Sequence, residues 1–112
     1  MTTREEWLSL SERCAKAEGP DRDIDRCIIA YLPDEHTLIG CGGYTESLDV
    51  ITGLIARALP GWHWEVGADR SAMMRNPGEW RGAADDICIW GAASPALALC
   101  EAFCLAMAEK AK

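Results

Sequence analysis

Trp80 stands between Glu79 and Arg81, just after the turn signal Asn76-Pro77-Gly78, and Arg75 lies immediately before that turn. An indole that belongs to no periodic apolar stripe and has two guanidinium groups nearby can stack a base while the cations pair a phosphate. Those are the needs of a nucleotide pocket, but a protein hot spot uses the same residue types. Tyr44 and His63 are further ring-bearing candidates for such a site. The sequence carries 5 Trp in 112 residues; a small core has room for only some of them, and an exposed ring would mark a contact surface. Trp80 is the first choice for exposure.

Catalytic chemistry has less to build on. Neither G-x-S-x-G nor H-E-x-x-H occurs, and His63, between Trp62 and Trp64, is where a solvent-facing strand residue would fall. Asp85-Asp86 suggests a metal pair, yet neighbouring strand residues point to opposite faces, so strand onset explains them better. Cys14, Cys27, Cys41, Cys88, Cys100 and Cys104 include no C-x-x-C pair, and His36 and His63 stand at no finger-like spacing from them. With no export signal in Met1-Thr2-Thr3-Arg4-Glu5-Glu6, reduced cysteines packed as small hydrophobes are expected, in a cytosolic protein. The residues therefore predict a non-enzyme with no metal and no cofactor.

The elements that must position these groups are punctuated clearly. Thr3 and Glu6 form a capping box that opens a helix, with Trp7, Leu10, Cys14 and Ala17 at helical spacing until Gly19-Pro20 stops it near Glu18. Asp21 caps a second helix with the stripe Ile24, Cys27, Ile28, Tyr31, closed by Pro33. Residues 34 to 43 read as a glycine-rich connection without a phosphate-loop pattern. Thr45 is the expected cap of a third helix, whose inner stripe runs Leu48, Ile51, Ile55, Ala58, Leu59 and ends at Pro60-Gly61. The period then changes to two: Trp62, Trp64 and Val66 share one strand face, and Ala72 to Arg75 forms a short second strand. The run Asp86 to Trp90 is nearly all apolar, which predicts a central strand buried on both faces. Ser94-Pro95 opens the last helix, and Glu101 is its only charge up to Ala108, so it must be covered on more than one side.

Four helices and a small, sequential, mainly antiparallel three-stranded sheet describe an α+β layered fold, with residues 1 to 112 forming one domain. The net charge of −7 disfavours a nucleic-acid partner, which needs Lys and Arg to displace counterions, and no apolar run is long enough to span a membrane. Residues 1 to 36 hold 9 acidic against 5 basic side chains, so the charge is weighted toward the first two helices, a face that could meet a basic groove.

Four stretches occur in order: Gly19-Pro20-Asp21-Arg22-Asp23-Ile24-Asp25, Tyr44-Thr45-Glu46-Ser47-Leu48-Asp49, Leu59-Pro60-Gly61-Trp62-His63-Trp64 and Ala93-Ser94-Pro95-Ala96-Leu97-Ala98-Leu99-Cys100. Together they resemble the phage ABA sandwich domain family of small bacteriophage and prophage proteins, over about residues 13 to 102. The resemblance implies a phage origin, an infected bacterial host cytoplasm and an alpha-beta-alpha sandwich. It carries over no catalytic residue. Residues 33 to 43 and 73 to 84 do not follow the family pattern. The functional expectation is a phage accessory protein that counters host defence by sequestering a small nucleotide-type signal, as a homo-oligomer, through Trp80, Arg75, Arg81, Tyr44 and His63. The alternative is an acidic inhibitor that binds a host defence protein directly.

Overall fold

The structure is a computed structural model, and it describes residues 2–32, 43–78, 82 and 86–111. Trp80, Arg81, Asp85, Cys41 and all but the last residue of the 34 to 43 connection lie outside the described residues.

Each helix begins where a side-chain oxygen can replace a missing backbone acceptor. The first, α1 (Arg4–Lys16), has its capping box complete: Glu6 N donates to Thr3 Oγ1 at 3.2 Å, and Thr3 N donates to Glu6 Oε1 at 3.1 Å. It stops at Lys16, two residues before the expected end, with Ala17 as its C-cap. The second, α2 (Arg22–Tyr31), is capped by Asp21, whose Oδ1 accepts from Asp23 N and Ile24 N. The third, α3 (Leu48–Ala58), is capped by Ser47 and not by Thr45. Thr45 is buried and occupied elsewhere: its Oγ1 accepts from Asp21 N at 2.8 Å, and its own N–H donates to Asp25 Oδ1 at 3.0 Å. The pair of bonds ties the start of α2 to the turn before α3, which is why a β-branched hydroxyl residue is useful there.

Three strands follow: β1 (His63–Val66), β2 (Ala72–Arg75) and β3 (Ile87–Ile89). They form an antiparallel sheet of order β1-β2-β3, with His63 opposite Arg75, Trp64 opposite Met74 and Met74 opposite Ile87. The β1–β2 turn closes through Gly67 N to Ser71 O and Arg70 N to Gly67 O, each at 3.0 Å. A Cβ on Gly67 would collide with the Asp69 carboxylate, which reaches back to Ser71. The expectation of a central third strand is corrected: β2 is central, and β3 lies at an edge with Cys88 exposed. In a sequential three-stranded meander the last strand always lies at an edge, so the apolar run reports residue type and not position.

The last helix, α4 (Pro95–Lys110), is opened by Ser94, whose Oγ accepts from Leu97 N at 3.1 Å, with Pro95 in the first turn. It is buried around most of its circumference, as its lack of charge demands, because the inner face of the sheet packs on one side and α1 and α3 on others. Ala72, Met74 and Ile89 are the buried residues of that inner sheet face. Among the described elements the layers therefore run sheet, α4, then α1 and α3, with α2 against α1. Four helices and a three-stranded antiparallel sheet make this a small α+β fold. Among the described residues, no helix is long and apolar enough to cross a membrane.

Candidate functional site

The sheet's second face carries a compact group of ring-bearing, charged and sulfur side chains. Strand alternation sends His63 and Glu65 of β1, Met73 and Arg75 of β2, and Cys88 of β3 away from α4. His63, Glu65 and Cys88 are exposed, and Met73 and Arg75 are half-buried. Asp86, one residue before β3, grips Arg75 in a two-point contact, Oδ1 to Nε and Oδ2 to Nη2, both at 2.9 Å. The Asp86 hydrogen bond raises the Arg75 guanidinium pKa further, so the cation is permanent. On Arg75's other side stands His63, its direct cross-strand partner, whose Nε2 is 3.8 Å from Glu65 Oε1. The outer face thus sets His63, Arg75 and Asp86 in one row across the sheet, with Glu65 one pleat away.

At the far end of β3, Trp90 is 75% exposed. It follows Ile89 directly and continues the alternation on the side of Cys88. Gly91, at φ 73°, then turns the chain toward α4. An indole held open to solvent at the end of a short edge strand forgoes the burial that such a ring can obtain, about 2 to 3 kcal/mol by area. That makes it the strongest contact signal among the described residues.

Of the residues expected to form a binding site, the structure brings His63 and Arg75 together on this face. It does not place Tyr44 there: Tyr44 is fully buried in the core, and its carbonyl accepts from Cys100 Sγ at 3.0 Å. Trp80 and Arg81 lie outside the described residues. Sequence reasoning missed Trp90 because it took the run from Asp86 to Trp90 as a central strand buried on both faces. The signal that could have found it is the combination of a meander, whose third strand is an edge, with Gly91 ending that strand. The other indoles among the described residues are less available, Trp7 being buried and Trp62 and Trp64 half-buried against the core.

The thiols of Cys14, Cys100 and Cys104 are buried. Burial pushes the Cys100 and Cys104 thiols well above the usual range, so they are neutral core side chains and poor nucleophiles. Among the described residues no group of three His, Cys, Asp or Glu side chains is placed to hold a metal ion. In the comparisons with known proteins, no family model, no curated protein and no solved structure matches this chain.

Proposed function

We propose that this chain is a non-enzymatic phage accessory protein that acts by binding, and that the outer sheet face is where it meets a host defence protein. The carrying observation is Trp90, 75% exposed at the edge of a face that also presents the Arg75–Asp86 pair, His63 and Glu65. A sheet face with an exposed indole beside an Arg–Asp pair suits a protein surface offering an apolar pocket with polar and charged groups around it. The phage assignment rests on the ordered motifs from Gly19 to Cys100.

A second reading, sequestration of a nucleotide-type signal, is favoured by the side-by-side placement of His63 and Arg75, two groups able to meet a phosphate. Native mass spectrometry of the protein purified from phage-infected cells distinguishes the two. The first reading expects a stoichiometric protein partner that is lost on Trp90→Ala. A retained small-molecule mass that survives Trp90→Ala and is lost on Arg75→Ala would replace it with the second. A bare protein in both samples would contradict both.

A further inference from the structure

We propose that an open groove at the end of the helical layer, remote in sequence from the sheet face, binds an organic cation with an apolar body, of the arylalkyl- or alkylammonium class. The groove encloses about 770 Å³ where the first turn of α1 meets the last turns of α2, α3 and α4. That volume suits a small organic ligand. Its lining includes Trp7, Tyr31, Leu32 and Met107, with Glu6 and Lys110 as its charged members. Trp7 meets Tyr31 edge to face at 5.4 Å and Phe103 at 5.8 Å, so the aromatic wall is braced from the core.

Charge selects the ligand. Three helices end at this groove, and their carbonyl ends carry partial negative charge. Lys110 answers α3, since its Nζ donates to Ala58 O at 3.2 Å. The positive start of α1 is answered by Glu5 and Glu6. The end of α2 has no basic residue in its last turn. Thr2 Oγ1 donates to the Tyr31 carbonyl at 2.7 Å, which fills a hydrogen bond but brings no charge. A cation seated between that end and the Tyr31 ring would add the positive charge that the last turn of α2 lacks, with cation–π and thioether contacts to Tyr31 and Met107. Burial, then Cys27 and Glu6, push the Tyr31 phenol up against the opposing pull of Arg13, so the ring stays neutral across the physiological range.

The test titrates the full chain with benzyltrimethylammonium, benzyl alcohol and phenylacetate by calorimetry, and seeks Overhauser contacts from the N-methyl protons to Tyr31 and Met107. The ammonium should bind at least about fivefold tighter than either of the others, and Tyr31→Ala should weaken it by about fivefold while Tyr31→Phe retains it. Trp90→Ala should leave it unchanged, which separates this groove from the sheet face. Tighter binding of phenylacetate, absence of binding by the ammonium, or Overhauser contacts elsewhere would each overturn the proposal, and the contacts decide the matter on the unmutated chain if Tyr31→Ala fails to fold.

Discussion

Arg75 and Asp86 show how far a single side-chain pair shapes the outer sheet face. Their side chains are 31% and 11% exposed, so the carboxylate is the more deeply placed partner. Removing Arg75 should therefore cost more than removing Asp86, because it strips a largely buried anion of its two-point donor. We expect Arg75→Ala to lower stability and Asp86→Ala to lower it by less. Chemical denaturation of both variants checks the order, and equal losses would mean the pair is worth no more than a surface contact. Trp90→Ala should change stability by less than about 0.5 kcal/mol, since the ring is open to water. A drop well beyond that would show the indole to be part of the packing and not a contact residue.

At the scale of elements, the ordered motifs mostly interlock with one another. Asp21 N–H reaches Thr45, Thr45 N–H reaches Asp25, and Cys100 reaches the carbonyl of Tyr44, so three of the four stretches meet in one latch. Thr45→Val keeps the shape and removes the oxygen, leaving Asp21 N–H without that acceptor. The expected loss is about 1 to 2 kcal/mol, against less for Ser47→Ala, whose capping bond is a long 3.4 Å. Thermal unfolding of the two variants gives the ranking; the reverse order would make Thr45 dispensable. The elements were legible where local chemistry decides them: Thr3 with Glu6, Asp21 and Ser94 with Pro95 are caps whose partners lie within three residues. Thr45 was misread because its partners lie 20 and 24 residues away, and no local pattern encodes them. The edge position of β3 escaped for the same reason, since strand order is a property of the whole sheet.

For the whole molecule, α4, with few charges, sets the core and also holds a desolvated carboxylate. Glu101 is half-buried on this helix, and burial raises its carboxyl pKa above the ordinary value. The folded state then holds the proton more tightly than the unfolded chain. Below the unfolded value both states are protonated and nothing is lost; as pH rises through the folded value, the folded state carries a desolvated charge and loses stability. Glu101→Gln should accordingly raise the melting temperature near pH 7 and leave it almost unchanged below about pH 4. An equal effect at both pH values would assign the gain to packing.

The proposed binding surface was only half legible at this scale. His63 and Arg75 were singled out from residue type, and the register sets them opposite each other, but Trp90 becomes visible only once the sheet has an edge. Side-chain oxidation footprinting with hydroxyl radicals tests the outer face as a contact surface most directly, because Trp90, Met73, Cys88 and His63 are all oxidisable. Compared free and in the complex isolated from infected cells, the account predicts protection of Trp90, Met73 and Cys88, with Tyr31 and Met107 in the helical groove unchanged. Unchanged oxidation of Trp90 together with protection confined to α1 and α2 would contradict it, moving the contact to the acidic helical side of the molecule.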